Sequence, residues 1–178
     1  MQELPDSVTS LLKSTRFVHL ATCQNNIPHV TLMNYTYYNK PSEGQSYIII
    51  TTPRDTIKYE NILANPNVSL LVHDWISAKA SDNNGETENK RRNSLYELLT
   101  NLNRTEISRV SVMLTGKAKI IEDTDSDEYK FYKSLHLNNT LIDDNQAKNY
   151  ISNDNNVLVL VKIERCKVTD TDDNVQEF

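Results

Sequence analysis

Six stretches rich in β-branched and aromatic residues, most of them joined by short connections, constrain this chain more than any other feature. They are Arg16–Cys23, His29–Tyr38, Ser46–Thr52, Asn67–Trp75, Ile107–Ile121 and Asn156–Thr169. Side chains of these types suit a pleated, half-buried surface, so each stretch reads as a strand. Gln24-Asn25-Asn26 with Pro28 predicts a hairpin between the first two, and Lys40-Pro41-Ser42-Glu43-Gly44 a turn into the third, giving a three-strand meander. The long fifth stretch is interrupted at Gly116. Helices are read between and beside the strands. Val8, Leu11 and Leu12 behind Pro5-Asp6 mark Leu4–Lys13, and Tyr59, Ile62 and Leu63 form the stripe of a short helix that Asn65-Pro66 ends. Leu95, Leu98, Leu99 and Leu102 mark a third helix, and Asp125–Leu137 reads as a fourth. The polar run Ser77–Asn93 reads as a mobile excursion and the acidic residues after Asp170 as a frayed tail. The pattern points to a mainly β antiparallel sheet or small barrel with flanking helices, rather than a Rossmann fold.

A chain of 178 residues fits one domain, here 1–170 with an excursion at 77–93 and an acidic tail at 171–178. Cys23 and Cys166 show no CxxC spacing, so neither a zinc site nor a disulfide framework is indicated, and a reducing compartment fits best. The polar, acid-bearing N-terminus is unlike a cationic secretion signal. No apolar run approaches the roughly 18 residues of a membrane helix. The expectation is a soluble protein of the cytoplasm, the nucleus being an open alternative, with no membrane partner. A net charge of −5 argues against a nucleic-acid partner. Lys90-Arg91-Arg92 reads as a solvated loop, with a sorting or docking signal as the alternative. There are only three glycines and no GxGxxG or GxxxxGK[ST] spacing, so the familiar glycine-dependent phosphate loops are absent.

One junction nonetheless has the chemistry of an anion site. In "IIITTPRDTIKYENILANPNVSLLV", Ile48 to Val72, a strand ends in Thr51 and Thr52, turns through Pro53-Arg54-Asp55 and enters a helix whose first turn carries Lys58. Threonine hydroxyls, free N–H groups at a helix start and an ammonium are what a phosphate monoester needs. The competing reading has Asp55 or Thr56 capping the helix while Arg54 and Lys58 face solvent. Other candidates read as structural. His73-Asp74 are adjacent on a strand and point to opposite faces. His19 and His29 lie on neighbouring strands without a third ligand, so they read as hairpin packing and no metal is expected. Tyr35, Tyr37 and Tyr38 read as sheet-surface packing, a flavin or substrate wall being the alternative. Trp75 is open between core or dimer contact and pocket lining. Neither cysteine has a neighbouring base in sequence, and no general acid or base is evident, so catalytic residues stay unassigned.

The order "LPDSVTSLLKSTRFVHLATCQNNIPHVTLMNYTYY", "YIIITTPRDTIKYENILANPNVSLLVHDW" and "VSVMLTGKAKII" resembles the FMN-binding split-barrel family of pyridoxamine 5′-phosphate oxidase-like proteins, from Leu4 to about Val168. The resemblance implies a six-stranded antiparallel split β-barrel, FMN as cofactor, a homodimer with the flavin at the subunit interface, and a flavin-dependent redox role on an unknown small molecule. The alternative is a non-catalytic binding or interaction module of the same fold with weak or lost flavin binding. By resemblance Lys58 matches the phosphate-binding lysine, Thr52 the strand-end threonine, Thr51 the residue before it, and Thr56 a serine position. Ile57 and Thr31 stand where the oxidases carry arginines, and Ser111 matches a partner-side position. The resemblance to the founding enzyme weakens at "VKIERCKVTDTDDNVQEF", where an acidic tail replaces a basic Arg-x-His segment. Oxidation of pyridoxamine 5′-phosphate is therefore not expected.

Overall fold

A computed structural model describes residues 4–74, 110–139 and 155–178. In chain order these form α1 (Asp6–Ser14), β1 (Phe17–Gln24), β2 (Ile27–Asn34), β3 (Thr36–Lys40), β4 (Gln45–Pro53), α2 (Ile57–Ala64), β5 (Asn67–His73), β6 (Val110–Ile121), α3 (Asp127–Asn139), β7 (Asn156–Asp170) and β8 (Val175–Glu177). The expectations for Trp75, the 77–93 excursion with its Lys90-Arg91-Arg92 cluster and the Leu95–Leu102 helix lie outside the described residues. None of the described helices is long and apolar enough to cross a membrane.

All pairings are antiparallel, in the order β2-β1-β5-β6-β7-β4-β3, with β8 added to β7. The mainly β split barrel is therefore as expected, but the described residues form eight strands rather than six. One extra strand comes from a break in the second predicted stretch at Tyr35. That side chain is fully buried, its hydroxyl donates to Leu12 O at 2.9 Å, and its backbone N–H reaches Arg16 O. Held under α1 in this way, the chain leaves the β1–β2 hairpin and crosses to the other end of the sheet. The expected three-strand meander is thus two separate hairpins, β1–β2 and β3–β4, at opposite ends of the strand order. The first closes on Asn25 and Asn26, with φ of 52° and 63°, the left-handed pair that the favoured two-residue hairpin turn needs.

The other extra strand is β8, formed where a frayed acidic tail was expected. Asp170 Oδ1 accepts from the N–H groups of Asp172 and Asn174, both at 2.9 Å, and turns the chain back. Phe178 then exchanges backbone hydrogen bonds with Cys166, and its side chain packs against the core.

Between Thr115 and Gly116 the register of β6 on β7 slips, so that Thr115 faces Arg165 while Gly116 faces Ile163, leaving Glu164 as the extra residue. A Cβ on Gly116 would run into the carbonyl of Lys162, which is why only glycine fits. The slip also switches which residues face inward: Val157, Val159, Val161 and Ile163 before it, Cys166 after it, all buried.

The interior is filled by Val18, Leu20, Ile48, Ile50, Leu70, Val72, Val112 and Leu114 together with these β7 residues. Each such side chain, fully buried, contributes roughly 1.5–3 kcal/mol. A second layer packs Ile49, Leu158 and Leu160 against Tyr129 and Tyr132 of α3, which explains the unbroken Ile48-Ile49-Ile50 run: both faces of β4 are covered. On the outer face, paired positions place Phe17, Val30, Leu32, Leu71 and Met113 side by side, all exposed.

Candidate functional site

At its C-terminal end β4 delivers Thr52 into the barrel interior, fully buried, with its hydroxyl hydrogen-bonded to Thr56 Oγ1 at 3.1 Å. Thr56 is the N-cap of α2 but makes no side-chain capping bond, because its hydroxyl donates back to Pro53 O at 2.9 Å. Asp55 does not cap either: its Oδ1 accepts from Asn155 Nδ2 at 3.1 Å. Neither side chain proposed as a helix cap therefore occupies the first turn of α2, and the helix start keeps its capacity for an anion.

Two cations flank that start. Arg54 is half-buried, and its Nη1 is buried with no hydrogen-bond partner among the described residues. Lys58 is half-buried and makes no ion pair among the described residues; burial alone holds its ammonium below the usual lysine range. Cations taken out of water without a counter-charge are unfavourable, so the arrangement accommodates an anionic group well.

The residues named from sequence do not all converge. Thr52, Thr56 and Lys58 meet at the junction. Thr51 belongs to the opposite face of β4, since it is paired with Leu158 of the outer α3-facing layer. Thr31 faces inward on β2 opposite Leu20, and its Oγ1 is buried without a hydrogen-bond partner among the described residues. Ser111 stands ten residues from Ile121 along β6, and Ile121 is level with Thr51 across β7. At about 3.3 Å per residue that is roughly 33 Å of strand.

The histidines also sort differently from their sequence neighbours. His19 points outward and His29 inward, so the two are not a pair. His19 instead stacks on His73, ring centroids 5.7 Å apart. Asp74 is occupied by the backbone N–H of Val110 at 2.9 Å. Tyr37 and Tyr38 split between the two faces, Tyr37 bonding to Ser46 Oγ and Tyr38 packing edge-on against Phe131 and Tyr132. Leu63, expected on the apolar stripe of α2, is exposed, and the buried residues there are Asn61 and Ile62. Asn61 donates to Thr22 Oγ1 at 3.0 Å and ties α2 to β1. Burial pushes the Cys166 thiol up to about 11, far from a nucleophile's range. Among the described residues no group of three His, Cys, Asp or Glu side chains forms a metal set. A cleft of about 370 Å³ is lined by Ala21, Thr22, Ser69, Thr115 and Arg165, but not by Lys58.

A family model described as pyridoxamine 5′-phosphate oxidase matches residues 4–169. The chain belongs to that family. A pyridoxamine 5′-phosphate oxidase homolog of Schizosaccharomyces pombe is 34% identical over 181 residues, covering 99% of this chain and 90% of that relative. One from Saccharomyces cerevisiae is 35% identical over 188 residues, covering 95% and 92%. Among solved structures, a FAD-binding protein of Mesorhizobium loti superposes with a TM-score of 0.60 at 15% identity, over 91% of this chain and 89% of that one. A heme-binding protein of Mycobacterium smegmatis gives 0.63 at 15% identity, over 94% of this chain but 54% of that one. At such identities these structures speak for the split-barrel fold alone.

Proposed function

We propose that the protein binds FMN at the β4–α2 junction, between two copies of the chain, and serves as a flavin-dependent oxidoreductase on a small molecule. The observation that carries this reading is the half-buried Arg54–Lys58 pair beside a helix start that no side chain caps. Family membership supports a flavin as the group concerned. The donor set fits a phosphate ester: Lys58 supplies an ammonium, Arg54 a planar fork from the turn, and the first N–H groups of α2 complete a positive, hydrogen-bonding cradle. Arg54 takes the part for which Ile57 has no charge. Thr52 and Thr56 hold the turn rigid from behind. When bound, a flavin supplies hydride and electron transfer, and the chain's own task is to fix and orient it. Ser111, at the far end of β6, reaches a ligand at the junction only from a second copy. The outer face bearing Leu32, Leu71 and Met113 is the surface on which that copy would sit.

The test is titration of the purified full chain with FMN, followed by quenching of flavin fluorescence, beside the visible spectrum of protein made in flavin-supplemented cells. A yellow protein with saturable binding is expected. Colourless protein with no saturable quenching rejects the proposal.

A further inference from the structure

His29 Nδ1 and Thr31 Oγ1, two residues apart on the inward face of β2, are buried and have no hydrogen-bond partner among the described residues. Buried polar groups are nearly always paired, so two orphans on one strand face need a reason. The register puts His29 opposite Thr22 and Thr31 opposite Leu20. Thr22 accepts from Asn61 of α2 at 3.0 Å, and Asn61 stands one helical turn after Lys58 on the same side. A contiguous row thus runs from Lys58 through Asn61 and Thr22 to His29. β2 also lies against β4, which leads into Arg54 with its own orphaned Nη1.

We propose that His29, with Thr31 beside it, is a titratable ligand-binding residue of this site that holds FMN more tightly when protonated. The inference rests on the FMN reading above. It is peculiar to a site of this composition: an arginine is always charged and gives no pH dependence, whereas imidazole gains or loses its charge near neutrality. The charged groups that adjoining elements bring to this end of the barrel are Arg54 and Lys58, both cationic, and Glu164 and Arg165 of β7, of opposite charge, which line a cleft with Thr22 and Pro28. Glu60 is exposed on α2, Asp55 is exposed and tied to Asn155, and β1 presents only the uncharged Leu20 and Thr22. Without an anion the two cations oppose a third positive charge; with a phosphate present they do not. FMN binding and proton uptake at His29 therefore favour each other, by the same factor in both directions.

The experiment measures FMN affinity of the full chain at pH 6 and pH 8, for the wild type and for His29→Gln, which keeps a hydrogen-bonding amide but does not titrate. The ratio of wild-type to variant affinity is expected to rise about tenfold from pH 8 to pH 6. Taking the ratio cancels the ionisation of the flavin phosphate itself, which by analogy with other phosphate monoesters falls near 6. A ratio equal at both pH values overturns the inference. Independently of any variant, the His29 ring-proton resonance of the wild type should titrate at higher pH with FMN than without; an unmoved midpoint also overturns it. FMN binding with a constant ratio removes the role of His29 alone, while no FMN binding at either pH removes the FMN reading and this one together.

Discussion

His136 on α3 is fully buried, its Nδ1 2.9 Å from Thr36 Oγ1, and burial lowers its pKa to about 4. An unfolded imidazole titrates near 6.5, so between roughly pH 6.5 and 4 the unfolded chain binds a proton that the folded chain refuses. Stability must fall as pH drops through that window, by at most about 3 kcal/mol, and this contribution levels off below it. Urea unfolding at pH 7, 5.5 and 4 should show the decline, and His136→Gln should lose that share of it; parallel slopes for the two proteins would assign the acid sensitivity elsewhere. Lys58 makes a complementary prediction at the candidate site. Lys58→Ala removes one charge-assisted phosphate contact and should weaken FMN by roughly 1.5–3 kcal/mol, about ten- to a hundredfold. Unchanged affinity in a titration would shift the phosphate to Arg54. The sequence identified Lys58, Thr52 and Thr56 as one cluster because they lie within seven residues of one turn. It did not single out His29, which looks like any hairpin histidine until the pairing register shows which face it occupies and that no described residue bonds its Nδ1. Nor did it separate Thr51 from Thr52, although strand alternation alone puts neighbours on opposite faces.

Among the elements, the strands were legible because their side chains are β-branched and their turns carry Asn, Pro and Gly, signals that act locally. What was not legible depends on contacts far apart in sequence. The break between β2 and β3 is set by Tyr35 reaching back to Leu12 and Thr15, and nothing within residues 29–38 announces it. The C-terminal segment misleads for the opposite reason: its Asp and Asn residues read as charge, yet they build a turn around Asp170 that lets β8 pair with β7. The β6–β7 bulge supplies the sharpest prediction at this scale. Gly116→Ala sets a methyl against the backbone of Lys162, and neither strand can retreat without breaking its ladder. The expected loss is about 1–3 kcal/mol, the usual penalty for overpacking, read as a lower urea midpoint. A variant as stable as the wild type would mean that the slip at Thr115 and Gly116 relaxes freely.

For the whole molecule, the outer sheet face is where the proposed dimer would form. Phe17, Val30, Leu32, Leu71 and Met113 project from four neighbouring strands, at exposures of 58%, 61%, 60%, 39% and 40%. Their adjacency follows from the register, since Leu32, His19, Leu71 and Met113 form one cross-strand row. Scattered apolar residues on a surface are ordinary, but a contiguous band of this kind marks an interaction site. A second copy is the economical partner, because a two-fold contact uses the same patch twice and would bring Ser111 of one copy toward a junction that its own chain cannot reach. Light scattering at micromolar concentration is expected to give twice the 20.5 kDa of one chain. Leu32→Asp on the exposed side of β2 should leave the barrel folded, since it removes no core contact, yet place like charges across the two-fold and yield monomers. If the flavin needs both copies, the same variant loses FMN binding while keeping Lys58, Arg54 and α2 intact. A monomeric Leu32→Asp protein that still binds FMN with wild-type affinity would show that the junction is complete within one chain, and would leave Ser111 without a part in it.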